Sequence, residues 1–220
     1  MGTLRVLVAD DHEVVRKGLR SIVEEQPGWE VAGEASDGRE AVDKARTLRP
    51  DVAVVDVSMP GLNGLEATRQ MLRNDAETKV LILTMHESDP LIRQVLDAGA
   101  RGYLLKSDAS RDLVTAVEAI RRNKTYFTAR VAQIVLDGYL DKKPHSIPEA
   151  ADAPASRLTP RQREVVQLLA EGKSSKEVAV ALGLSVKTAE THRANIMSRL
   201  ECHSVSELVR YAIRNNIIEA

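Results

Sequence analysis

The chain has 220 residues, enough for one large domain or two modest ones that each bury a core. With 43% hydrophobic and 29% charged residues wholesale disorder is excluded, and the 3% of aromatic residues leaves the core to aliphatic side chains. A formal net charge of −1 hides an asymmetry: residues 157–220 hold 10 basic and 7 acidic side chains, so a net +3 there is balanced by −4 in the remainder.

From Leu4 to about Lys124 the chain alternates short β-branched runs with amphipathic stretches. The runs are LRVLVA, WEVAGEA, VAVVDV, KVLILT and GYLL, and they predict five strands of a parallel sheet covered by helices on both faces, an α/β fold. Thr128 to Leu140 reads as a helix with Val131, Ile134, Val135 and Leu136 apolar. The stretch DKKPHSIPEAADAPAS, rich in Pro and Ala, reads as an extended linker. The expected division is therefore 1–125, an α/β domain; 126–156, helix and linker; and 157–220, an all-α domain.

In the last part the pattern is wholly helical and its punctuation is legible. Thr159 with Gln162, Ser174 with Glu177, and Ser204 with Glu207 have the spacing of capping boxes, and Pro160 takes a first helical position. Gly172 and Gly183 stand where helices should stop. Four helices are expected, at about 160–171, 175–182, 186–200 and 204–215, with Val186, Ala189, Ile196 and Leu200 of the third facing the core. Ser174 to Leu182 and Val186 to Leu200, separated by the GLS turn, give the geometry of a helix-turn-helix, whose second helix enters the DNA major groove.

The chemistry lies where polar residues interrupt the strands. Asp10 and Asp11 end the first run, Asp56 the third and Thr84 the fourth, and Lys106 follows the fifth. All are at carboxyl ends of parallel strands, the edge where open α/β sheets build their sites. Clustered carboxylates repel unless their protonation changes or a cation joins them, and an all-oxygen donor set suits Mg2+. A carboxylate beside that ion can attack phosphorus to form an aspartyl phosphate, with the Lys106 amine and the Thr84 hydroxyl on phosphoryl oxygens.

The segments VADDH, VVDVSMPGLNG, LTMHES and GYLLKS resemble the signature segments of receiver domains, over roughly the first 125 residues. The segment from Leu158 to Leu200 resembles the helix-turn-helix of NarL/FixJ, or LuxR-type, regulators. Together they imply a two-component response regulator with a flavodoxin-like sheet of order 2-1-3-4-5. The resemblance implies Asp56 as phosphoacceptor, Asp10, Asp11 and the Ser58 backbone carbonyl as Mg2+ ligands, and Tyr103 as the aromatic that reports the switch beside Thr84 and Lys106. Ser58 and His86 fall where receivers vary and would tune phosphate lifetime. Ser107 stands where many receivers have proline, so a cis bond there is not expected. His12 reads as a neighbour of the site, and Cys202 has no assigned role.

At the DNA end the resemblance places Glu190, Thr191 and Ala194 against bases. Lys176, Lys187, Thr188, His192 and Arg193 suit phosphate contacts, with Asn195 on the same exposed face and His192 equally suited to packing between helices. Implied partners are a cognate histidine kinase, double-stranded promoter DNA, a second copy of the chain, and RNA polymerase. No apolar run reaches the roughly 18 to 20 residues of a bilayer span. MGTLRVLVADD lacks a signal-peptide pattern, and one cysteine forms no internal disulfide, so a cytoplasmic place without membrane contact is expected. Two rivals share parts of this pattern. One is a phosphorylation-independent DNA binder, and the other is a Mg2+-dependent aspartate-nucleophile phosphohydrolase. Such hydrolases place a second Asp two residues after the nucleophile, where this chain has Ser58.

Overall fold

A computed structural model of the protein describes residues 2–128, 131, 133 and 158–219. The helix expected from Thr128 to Leu140 and the linker after it lie almost wholly outside the described residues. The chain divides into two compact units, Met1–Lys143 and Pro144–Ala220.

In the first unit each β-branched run is a strand: β1 Leu4–Ala9, β2 Trp29–Ala35, β3 Val52–Asp56, β4 Lys79–Thr84 and β5 Gly102–Leu105. They form one parallel sheet of order β2-β1-β3-β4-β5. Between and after them come α1 Glu13–Glu24, α2 Gly38–Leu48, α3 Gly64–Asn74, α4 Asp89–Asp97 and α5 Ala109–Arg121, with a 3-10 turn at Lys106–Asp108. Side chains alternate across a strand, so the apolar runs serve both faces. Val6, Val8, Val52, Val54, Leu81 and Leu83 pack with Leu19 and Val23 of α1 and with Leu113, Val117 and Ile120 of α5. The intervening residues Leu7, Ala53, Val55, Val80 and Ile82 pack with α2, α3 and α4 through Ala41, Ala45, Ala67, Met71 and Val95. Edge strand β2 is only partly covered, which explains its Glu30 and Glu34.

The second unit is helical throughout: α6 Pro160–Ala170, α7 Ser175–Leu182, α8 Val186–Arg199 and α9 Val205–Arg214. Reciprocal capping boxes start α6 and α7, at Thr159/Gln162 and Ser174/Glu177. Gly172 and Gly183 take left-handed φ values of 86° and 63°, which stop α6 and make the tight turn into α8. The third box is only half made. Ser204 accepts from the Glu207 amide, but the Glu207 carboxylate takes the His203 N–H at 2.7 Å, one residue earlier than the box pattern requires. Val186 is a second correction: it is 40% exposed, whereas Ala189 and Ile196 are buried and Leu200 is half-buried. At about 100° per residue Val186 lies roughly 60° round the helix from Ala189, at the rim of the buried arc. Among the described residues no helix is long and apolar enough to cross a membrane.

Candidate functional site

The strand registers bring the acids together. Ala9 pairs with Val55, so the chain positions that follow, Asp10 and Asp56, come side by side at the carboxyl edge. Thr84 pairs with Leu105, so Lys106 emerges beside the end of β4. Asp10 and Asp56 are 0% and 2% exposed. Lys106 Nζ bridges them, 2.7 Å from Asp10 Oδ2 and 2.9 Å from Asp56 Oδ2. Asp11 is exposed on the outer rim, its Oδ1 2.6 Å from His12 Nδ1. Ligand atoms of Asp10, Asp11, His12 and Asp56 all lie within 4.8 Å of one another.

Burial and, after it, the charge of Asp10 push the Asp56 carboxyl from 3.8 up to about 6, against the opposing pull of Lys106 and the Ser58 backbone N–H. Burial alone would lower the Lys106 ammonium. Hydrogen bonds and charges from Asp10 and Asp56 outweigh it and raise the amine above its ordinary value, so Lys106 stays cationic. Three carboxylates against one amine leave negative charge in excess, and every carboxylate donor is a hard oxygen. That set fits a divalent cation such as Mg2+.

Thr84 is buried, and its Oγ1 donates to His86 O at 3.1 Å. Tyr103 is wholly buried, and its hydroxyl donates to the same carbonyl at 3.0 Å. The Lys106–Ser107 peptide is trans, as expected from the missing proline. Two supports went unread in the sequence. Arg16 Nη1 donates to Asp10 O at 2.7 Å and fixes the first acid from α1. Gly64, at the start of α3, passes so close under the end of β3 that a Cβ there would stand 1.9 Å from Asp56 O, so only glycine fits. The signal for Gly64 was present in the GLNG turn; Arg16 gave none, being one more charge on an amphipathic helix.

In the second unit α8 exposes Lys187, Thr188, Glu190, Thr191, Ala194 and Asn195, with His192 and Arg193 half-buried on its flanks and Lys176 exposed on α7. Thr191 Oγ1 donates back to Lys187 O at 2.9 Å, so in this state it is left as an acceptor. Thr188 Oγ1 lies 2.8 Å from the capping Ser185 Oγ. Behind α8, an Arg161 Nη2 hydrogen bond to Leu182 O and a 2.8 Å pair between Arg161 Nη1 and Glu164 tie α6 to the turn.

A parallel sheet with a buried acid-amine cluster at its carboxyl edge, followed by a helix-turn-helix with an exposed second helix, defines a receiver-type regulator of DNA. Residues 6–118 match the response regulator receiver domain, and residues 156–212 match the bacterial regulatory proteins of the luxR family. The chain belongs to the two-component response regulators of this LuxR-type class. It is 37% identical to the response regulator UvrY of Escherichia coli strain K12 over 99% of this chain and 97% of that one. To the transcriptional regulatory protein LiaR of Bacillus subtilis strain 168 it is 38% identical over 98% and 99% of the two chains. Among solved structures it resembles RcsB, seen as two dimers bound to two parallel DNAs, with 26% identity, 97% and 99% coverage and a TM-score of 0.57.

Proposed function

We propose that a histidine kinase transfers a phosphoryl group to Asp56, and that this controls sequence-specific binding of α8 to promoter DNA. The domains of the reading are 1–125 for phosphoryl acceptance, 126–156 for connection and 157–220 for DNA. The observation that carries it is the Lys106 amine held between two buried carboxylates at a strand edge.

In the transfer an Asp56 carboxylate oxygen attacks phosphorus, the phosphorus–nitrogen bond of the kinase phosphohistidine breaks, and the imidazole leaves with the electron pair. Lys106 exchanges its Asp56 contact for a phosphoryl oxygen while keeping Asp10. Thr84 turns its hydroxyl from His86 O to a second phosphoryl oxygen. Asp10, Asp11, Asp56 and the Ser58 carbonyl would hold Mg2+, which supplies charge neutralisation of the transferring group. The phosphate is later lost to water, which makes Asp56 a stoichiometric acceptor, not an enzymatic nucleophile.

Kinase docking has a surface beside the site. Val14, 83% exposed on the first turn of α1, and the exposed Met85 flank Asp11 and Thr84 in sequence and offer apolar anchors. On α9, Leu208 and Ala212 are buried, whereas Val205, Val209 and Ile213 keep exposure along one stripe. RcsB binds DNA as dimers, and in this reading that stripe is the contact between two copies of the chain. Paired copies also remedy the few base contacts of one α8. RNA polymerase is the further partner of a promoter-bound regulator, and the cytoplasm is where kinase and promoter both occur.

The test is labelling with acetyl phosphate followed by footprinting with and without the phosphodonor. Asp56→Asn is expected to abolish labelling and the phosphodonor effect on the footprint. A full response in that variant overturns the reading.

A further inference from the structure

After α5 the chain returns to the free edge of the sheet. The Tyr126 amide donates to Arg101 O and the Tyr103 amide donates to Tyr126 O, each at 3.0 Å, so residue 126 pairs in parallel with Gly102. Gly102 permits the approach, since a Cβ there would stand 3.1 Å from Tyr126 O and 2.6 Å from Ile120 Cδ1. Two residues on, Thr128 Oγ1 donates to Glu87 Oε1 at 3.4 Å and accepts from the Val131 amide at 3.4 Å. Val131 is wholly buried in the apolar cluster that also holds Tyr103, Leu91 and Val95, with Phe127 packed against it. The first residues of the connection to the DNA-binding unit are thus tied to β5 by backbone and to the β4–α4 loop by one side-chain contact.

That loop is also where the phosphorylation site ends. Glu87 follows His86, whose carbonyl receives both the Thr84 and the Tyr103 hydroxyls. We propose that Glu87 and Thr128 are the positioning pair through which phosphorylation of Asp56 reaches the connecting segment. Thr84 has one hydroxyl proton. In the described state His86 O holds it; a phosphoryl oxygen on Asp56 is a charged acceptor and roughly twice as strong. When Thr84 turns, the loop carrying His86 and Glu87 loses its Thr84 hydroxyl tie to the sheet, keeps that of Tyr103, and settles differently. Thr128 then loses or shifts its acceptor, and with it the hydroxyl that holds the Val131 amide. A long, weak contact suits this task, because a switch needs two arrangements close in free energy.

The inference rests on Asp56 being the phosphoacceptor, and its test separates the two claims. Full-length wild type, Thr128→Val, Glu87→Gln and Glu87→Ala would be compared by two readouts. One is the rate of Asp56 labelling by acetyl phosphate. The other is the ratio of DNA affinities with and without the phosphodonor, on a duplex selected from random sequence by the wild type. Labelling is expected to stay within about twofold, while the affinity ratio changes by about threefold or more in Thr128→Val and Glu87→Ala. Glu87→Gln keeps an acceptor and should keep the ratio. Adding Thr128→Val to Thr84→Ala should change nothing further, since both lie on one route. Exchange of the Val131 amide should quicken on phosphorylation in the wild type, a change that a merely structural contact would not make. A wild-type ratio and unchanged exchange in Thr128→Val sink the positioning pair alone. Absence of labelling in the wild type sinks the phosphoacceptor reading and the pair together.

Discussion

The acid cluster of the first unit and the exposed face of α8 are both functional surfaces, yet they are held in opposite ways. At the cluster, Asp10, Asp56 and Lys106 are buried and fix one another at 2.7 and 2.9 Å. On α8, Lys187, Glu190, Thr191 and Ala194 are exposed, and the hydrogen bond from Thr191 Oγ1 to Lys187 O stays within the helix. In the proposed function the first surface is preorganised for a small group that arrives, and the second waits for a large partner to supply its other half. Substitutions at the cluster should therefore act on rate and stability together, and substitutions on α8 on affinity alone.

The largest expected effect is at Lys106. Lys106→Ala leaves two buried carboxylates facing each other and removes the charge proposed to meet the phosphoryl group. Labelling by acetyl phosphate, followed as a single turnover, should slow on the order of 100-fold. A labelling rate within about threefold of wild type would show that the amine is only a structural counter-ion.

Asp56 sharpens the same point through pH. Its carboxyl is raised from 3.8 up to about 6, so the folded state holds a proton there that the unfolded chain releases. The sign follows: stability from this group is present below about pH 4 and lost as pH rises through about 6. At pH 7 Asp56→Asn should raise stability in Mg2+-free buffer by about 1–3 kcal/mol, less what Lys106 loses with its partner. Mg2+, bound as proposed, should reverse the order by favouring the charged form, and at one hundred times its dissociation constant should add about 2.7 kcal/mol to the wild type. Thermal melts of both proteins at pH 5 and 7, with and without the ion, check all four cases.

The two surfaces also differed in how far the sequence revealed them. The strand order and the convergence of residues 10, 56 and 106 were legible because apolar runs fix the strands and parallel topology fixes which ends meet. Arg16, the shared acceptor His86 O and the Thr128 tie were not, since each depends on where a backbone carbonyl or a single rotamer falls. Val186 was misplaced for a like reason: helical spacing ranks it near the buried arc, but the arc is narrow and begins at Ala189. On α8 the sequence names the exposed residues and little more, as base preference is decided in the complex.

That leaves α8 to be broken by DNA binding. Lys187→Ala should weaken binding evenly across sequences and lower the slope of log affinity against log salt by about 0.9. Glu190→Ala should instead relax preference at one base pair by about 1–3 kcal/mol, if its carboxylate accepts from a cytosine amine. Equal loss on every sequence for both variants would remove Glu190 from base reading.

The smallest effect distinguishes two helix starts inside the second unit. Ser174 makes both halves of its box, whereas Ser204 makes one and leaves Glu207 to the His203 amide. Ser174→Ala and Ser204→Ala should each cost about 1 kcal/mol. Their acids should then behave differently. Hydrogen bonds from the Ser174 hydroxyl and amide hold Glu177 below its ordinary 4.5, and the His203 amide does the same for Glu207. Stability from a lowered carboxyl is present above its ordinary value and lost as pH falls through the folded one. Ser174→Ala removes the first of Glu177's partners and should flatten the acid dependence of amide exchange at the start of α7. Ser204→Ala spares the His203 bond, so the same dependence at the start of α9 should survive.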